Sequence, residues 1–181
     1  MTRGSEPKLT AGVLTTLTVT ALILLTSLFT FTRADEPLPN VAASLGLKIL
    51  SLQKQFAGKS EGITIFVLGD TNVAKAFLTY VDQSVGTMRV ARVLSGDDLP
   101  AERPDVLFIG DKDKVQEAVK YTRGKGVLSM ARTEKFIPQG VTLTVYLGQT
   151  GAPEISVNMS GALLEGVEVN PATLKVARVA R

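Results

Sequence analysis

The residues best placed for chemistry sit in two short stretches, Leu68-Gly69-Asp70-Thr71 and Ile109-Gly110-Asp111. Each closes an apolar run and sets a glycine beside a carboxylate. In open α/β sheets, ligands bind beyond the carboxyl ends of the parallel strands. A glycine there lets a ligand approach the backbone, and the start of a following helix offers unpaired N–H groups to an anion. Gly69, Asp70, Thr71, Gly110 and Asp111 are therefore the candidate ligand-binding residues. A plainer reading stands beside this one. An aspartate at a helix start stabilises that helix by ~0.3–1 kcal/mol, and one cap accounts for each of the two.

The rest of the composition excludes much chemistry. The chain has no His and no Cys, which removes Ser-His-Asp and Cys-His nucleophiles, imidazole bases, and thiolate or imidazole zinc sites. Carboxylates, Lys, Arg, Tyr, Ser and Thr remain. No phosphate-binding P-loop occurs, and neither Gly69 nor Gly110 belongs to a dinucleotide fingerprint. No catalytic residue, metal or cofactor is expected. A phosphoacceptor site is excluded too, since the first strand ends in a single Asp. Lys112, Lys114, Lys120 and Arg123 alternate with Asp111, Asp113 and Glu117 and read as a solvated face. The net charge of +3 is partly carried by Arg3, Lys8 and Arg33 near the N-terminus. What remains is close to neutral and gives no footprint for nucleic acid.

The elements that would position the Gly-Asp corners follow from periodicity. A helix is predicted from Val41 to Phe56, capped by Asn40, with Leu45, Ile49, Leu52 and Phe56 along one stripe. Residues 63–68 form a nearly continuous apolar run, as in a strand buried on both faces of a parallel sheet. A helix to about Val85 follows the first corner. Met88 to Leu94 alternates apolar and basic residues, with Arg89 and Arg92 guarding a sheet edge. Val106 to Ile109 and Val127 to Met130 are further buried strands. Between them Asp113 is expected to cap a helix to about Tyr121, with Gln116 at the capping-box position. Val141 to Leu147 and Glu154 to Met159 alternate around residues 148–151 and predict a hairpin. Ser160 should start a short helix to Glu165, and Asn170-Pro171 a last helix ending near Val179. The fold class is thus α/β, a mixed and largely parallel sheet with helices on both faces and a C-terminal β-hairpin. Ile65, Val67, Leu107, Ile109 and Leu128 are the predicted core.

The N-terminus has its own logic. A basic start is followed by residues 9–31 without a charge, then Thr32-Arg33-Ala34. This reads as a secretory signal over residues 1–34 and places the domain in the periplasm. The run also suffices to span a hydrocarbon layer of ~30 Å, so an inner-membrane anchor is the competing reading. Either way, membrane contact runs through this segment alone. Residues 35–39 read as a linker and 40–181 as one domain.

The stretch from Val127 to Leu147, then Glu154 to Val179, resembles the closing segment of the YfiR/HmsC-like family. Its features fall on Val127 to Met130, on Phe136 with Gly140, on Val157-Asn158, on Ala162 to Glu165, and on Leu174 to Val179. The runs Ile65 to Asp70 and Asp105 to Gly110 match two further family strands. The first helix here has fewer aromatics than is common in the family, and the cysteine pairs of some members are absent. The resemblance implies a non-catalytic periplasmic regulator. Its partner would be the periplasmic region of a membrane signalling protein, such as a diguanylate cyclase or sensor histidine kinase. The domain would modulate that partner, by repression in the first case, and a homodimer is compatible with this. Such binding needs an apolar surface, for which Leu45, Ile49, Leu52 and Phe56 are the candidates, although the same stripe could be ordinary core. Two rivals are a periplasmic small-ligand-binding protein using the Gly-Asp rim and an enzyme built on carboxylates and lysine.

Overall fold

The computed structural model describes residues 36–180. The export segment predicted over residues 1–34 lies outside the described residues. Among the described residues no helix is long and apolar enough to cross a membrane.

The described chain forms α1 (Pro39–Leu50), β1 (Ile63–Leu68), α2 (Thr71–Leu78), β2 (Ser84–Val85), β3 (Met88–Gly96) and β4 (Val106–Ile109). Next come a 3₁₀ turn (Lys112–Lys114), α3 (Val115–Thr122), β5 (Leu128–Ala131) and a second 3₁₀ segment (Glu134–Gln139). The chain closes with β6 (Leu143–Leu147), β7 (Pro153–Asn158), α4 (Met159–Glu165), α5 (Pro171–Leu174) and β8 (Arg178–Ala180). One eight-stranded sheet results, in the order β2-β3-β1-β4-β5-β6-β7-β8. Strands β3, β1, β4, β5 and β6 run parallel. β7 returns antiparallel on β6, which is the expected hairpin, and β8 lies parallel to β7.

Alternation within the central strands decides which helix covers which face. Ile65, Val67 and Phe108 join Leu47 and Leu50 of α1 and Phe77 of α2 in one core. Phe77 and Phe108 meet edge to face at 5.7 Å, the favourable geometry for two aromatic rings. Phe66, Leu68, Leu107 and Ile109 point the other way, onto Val115, Ala118 and Val119 of α3 and Phe136. Ile65, Val67, Leu107, Ile109 and Leu128 are all buried, as predicted. From β1 the chain moves to β3 on one side, then crosses back to β4 on the other. The strand order therefore reverses at β1 and β4, the position where doubly wound sheets open a crevice.

Several boundaries differ from the sequence expectations, each for a local reason. α1 starts at Pro39, inside the expected linker, so Asn40 lies in its first turn rather than at the cap; Val41 and Ala42 donate to the Leu38 carbonyl, and the Val41 N–H also lies 3.0 Å from Asn40 Oδ1. It ends at Leu50 rather than Phe56. Ser51 Oγ donates to the Lys48 carbonyl and Gln53 Nε2 to that of Ile49, so side chains satisfy carbonyls that a longer helix would use. α2 stops at Leu78, short of Val85. Asp82 takes a left-handed φ of 62° and its N–H bonds the Val90 carbonyl, turning the chain into β2 and β3. Asp111 rather than Asp113 caps the turn before α3, and α4, capped by Asn158, starts at Met159, one residue before the expected Ser160. Asn170 caps α5 as expected, but that helix ends at Leu174. The segment predicted to complete it becomes β8, because the open edge of β7 offers backbone partners to residues 178–180.

Candidate functional site

The two Gly-Asp corners meet at the carboxyl ends of β1 and β4, as the strand order requires. Their geometry is that of a closed joint. A β-carbon at Gly69 would lie 2.5 Å from the Asp111 Cβ. One at Gly110 would fall on the Asp70 Cβ and lie 3.1 Å from the Leu68 carbonyl oxygen. Each glycine thus makes room for the neighbouring corner's aspartate. Gly69 also has φ +72°, a left-handed conformation that favours glycine on its own account.

Three backbone donors at this rim are engaged. Gly110 and Asp111 both donate to the Leu68 carbonyl, at 2.8 and 3.2 Å, and Gly69 donates to Gly96 at 3.0 Å. Asp70 Oδ1 accepts from Asn72 and Val73 N–H, at 3.1 and 3.0 Å. Asp111 Oδ1 accepts from Asp113 N–H at 2.9 Å. Both aspartates are helix or turn caps. Thr71 is exposed at the first turn of α2.

A residue that periodicity did not single out completes the rim. Arg132 follows β5 and extends its guanidinium to Asp70, with Nε 3.1 Å from Oδ2. Its Nη2 lies 2.9 Å from Glu36 Oε2, and Nη1 donates to the Pro37 carbonyl at 3.3 Å. Arg132 therefore straps the segment before α1 onto the ends of β1 and β5. The strand-end argument that picked out Asp70 and Asp111 applies equally to β5, and would have found Arg132 there.

The apolar stripe of α1 is not a surface. Ile49 and Phe56 are buried at 4% and 2% exposure, and Leu45 is partly buried against the core. Leu52 is exposed at 36%. α1 and the turn after it must close one side of the sheet, and that consumes the stripe. Of the four residues expected to dock a partner, Ile49 and Phe56 thus lie in the core, Leu45 is half-buried and Leu52 is exposed.

Elsewhere, a groove of about 690 Å³ runs between the Glu134–Gln139 segment, Asn158, Ser160 and Ala180. Beside it, the buried Tyr146 hydroxyl lies 3.0 Å from Glu154 Oε2 and 3.1 Å from Arg178 Nη1. Burial pushes this phenol upward. A second carboxylate, Glu165, is also pushed up by burial, but it is 1% exposed and sealed inside the protein. It offers no substrate access of the kind a carboxylate-based enzyme needs.

The comparisons agree with this architecture. A crystal structure of a conserved domain protein from Vibrio cholerae O1 biovar El Tor strain N16961 superposes with a TM-score of 0.51 at 12% identity. The match covers 81% of this chain and 60% of that one, so the chain spans about three fifths of its length. At that identity the likeness concerns the fold. No curated protein matches the sequence. The model of the YfiR/HmsC-like family matches residues 47–178, from within α1 to the start of β8, and the chain belongs to that family.

Proposed function

We propose that this domain is a periplasmic, non-catalytic regulator that binds a membrane-bound signalling protein and holds it inactive. The partner is a diguanylate cyclase or a sensor histidine kinase, contacted through its periplasmic region. Residues 1–34 direct export as a signal, with residues 9–31 as an uncleaved anchor in the alternative arrangement. Family membership over residues 47–178 is the observation that carries the reading.

Two features of the molecule support it. Gly69, Gly110 and Asp111 spend their N–H groups on backbone carbonyls and the two aspartates cap the following turns, which suits a structural joint better than a substrate site. The chain also lacks His and Cys, and among the described residues the one fully buried carboxylate is closed to substrate. Regulation by stoichiometric binding needs none of these groups. The experiment is deletion of the gene, with measurement of cyclic-di-GMP and of kinase output, followed by complementation. Repression predicts a rise in one output that the intact gene reverses. Unchanged output in both would refute it.

A further inference from the structure

Glu165 ends α4 at 1% exposure, and among the described residues it is the only charged type that is fully buried. Its Oε1 lies 2.9 Å from Thr122 Oγ1 on α3. Its Oε2 lies 3.1 Å from the Ser129 N–H on β5 and 2.7 Å from Thr142 Oγ1, just before β6. One side chain thus joins α4 to three other parts of the fold. No ion pair among the described residues includes it.

The ionisable groups on the surrounding elements leave it without a counter-charge. α3 and the turn after it carry Glu117, Lys120, Tyr121, Arg123 and Lys125, none bonded to Glu165. Lys125 instead lies over the Tyr121 ring at 3.8 Å. β5 has no ionisable residue. On β6, Tyr146 is bonded to Glu154 and Arg178. α4 itself has no other ionisable side chain.

The hydrogen-bond geometry accommodates a proton on the carboxyl. Thr122 Oγ1 also lies 3.0 Å from the Val119 carbonyl oxygen. A hydroxyl has one hydrogen to give. If Glu165 were ionised, Oε1 and the Val119 oxygen would compete for it. A proton on Oε1 resolves the conflict. Oε1–H donates to Thr122 Oγ1, the threonine passes its own hydrogen to Val119, and Oε2 accepts from Ser129 and Thr142.

We infer that Glu165 is held in the folded domain as a neutral carboxylic acid, and that seating α4 against α3, β5 and β6 is coupled to uptake of this proton. Burial is the largest influence on the group and raises its pKa, while the bonds from Ser129, Thr142 and Thr122 act in the opposite sense. The direction of the linkage follows. A carboxyl raised above its ordinary 4.5 contributes stability that is complete below that value. The contribution is lost as pH rises through the folded value, because in that window the folded state holds more protons than the unfolded one. The seam around α4 therefore weakens with rising pH, which makes the domain responsive to acidity in a compartment that follows the medium.

The test uses the protein as exported, labelled with 13C at the glutamate carboxyls. The Glu165 signal, assigned by its loss in Glu165→Gln, should titrate at higher pH than those of the exposed glutamates. Denaturation between pH 5 and 8 should show a wild-type folding constant falling by up to ~tenfold per pH unit inside the window, the slope of one proton. Glu165→Gln should remove that component, since its Nε2 can donate to Thr122 and its Oε1 can accept from Ser129 and Thr142. A Glu165 signal that titrates with the exposed glutamates or below them overturns the inference, and so does an unchanged slope in the variant. The wild-type titration decides the matter alone if the variant fails to fold, the assignment then following from contacts to Thr122 and Thr142.

Discussion

Replacing Gly110 by alanine tests whether the Gly-Asp rim is a joint or an open site. Gly110 has an ordinary negative-φ backbone, so an added methyl meets only a steric problem. That methyl would fall on the Asp70 Cβ and press the Leu68 carbonyl at 3.1 Å. Neither obstacle is the free end of a flexible chain. Overpacking of this kind costs ~1–3 kcal/mol. Gly69→Ala meets the Asp111 Cβ at 2.5 Å and must also hold φ +72°. A left-handed conformation costs a non-glycine residue a further ~1–2 kcal/mol. Urea denaturation should therefore rank wild type above Gly110→Ala above Gly69→Ala, with similar denaturant slopes. A Gly110→Ala protein as stable as wild type would show that the corners do not interlock, and the ligand-rim reading would regain its ground.

Other outcomes follow from the same contacts. Leu107→Ala should cost ~2–5 kcal/mol in the same denaturation assay, because Leu107 is fully buried beneath α3. Asp111→Ala loses one cap bond and should cost ~0.5–2 kcal/mol. Asp70→Ala should cost more, since it frees two N–H groups and removes a partner of Arg132, whereas Asp70→Asn keeps the cap and should recover most of the difference. An alkaline phosphatase reporter fused after Arg181 should be active, and mass analysis of the mature chain should separate cleavage after Ala34 from a retained anchor.

The buried strands were the most legible part of the sequence. Runs such as Ile63–Leu68 and Val106–Ile109 are apolar on both faces, and only a strand covered on both sides accommodates that. Helix ends were less legible, because side chains distant in sequence fix them. Gln53 helps end α1 while also bonding Thr173 Oγ1 at 2.7 Å, a partner 120 positions away. β8 was hidden for a related reason. Asn170-Pro171 is a strong helix start, and nothing local says that the β7 edge will capture residues 178–180. The α1 stripe shows the limit of periodicity, which identifies an apolar face but not whether it meets a sheet or a partner. At the rim, Asp70 and Asp111 were found by position, but their closure by each other's glycine needed the strand order. Arg132 and Glu165 carry charge types that read as surface residues until their contacts are known.

The central claim is regulation by binding, and its most direct measurement is the stoichiometry of the complex. The tagged full chain, expressed at its natural level, is purified from detergent-solubilised membranes, and its companions are counted by quantitative mass spectrometry. The account predicts one diguanylate cyclase or sensor histidine kinase at close to one copy per domain. A chain recovered without any membrane signalling protein near that ratio, under conditions that preserve other membrane complexes, would contradict it.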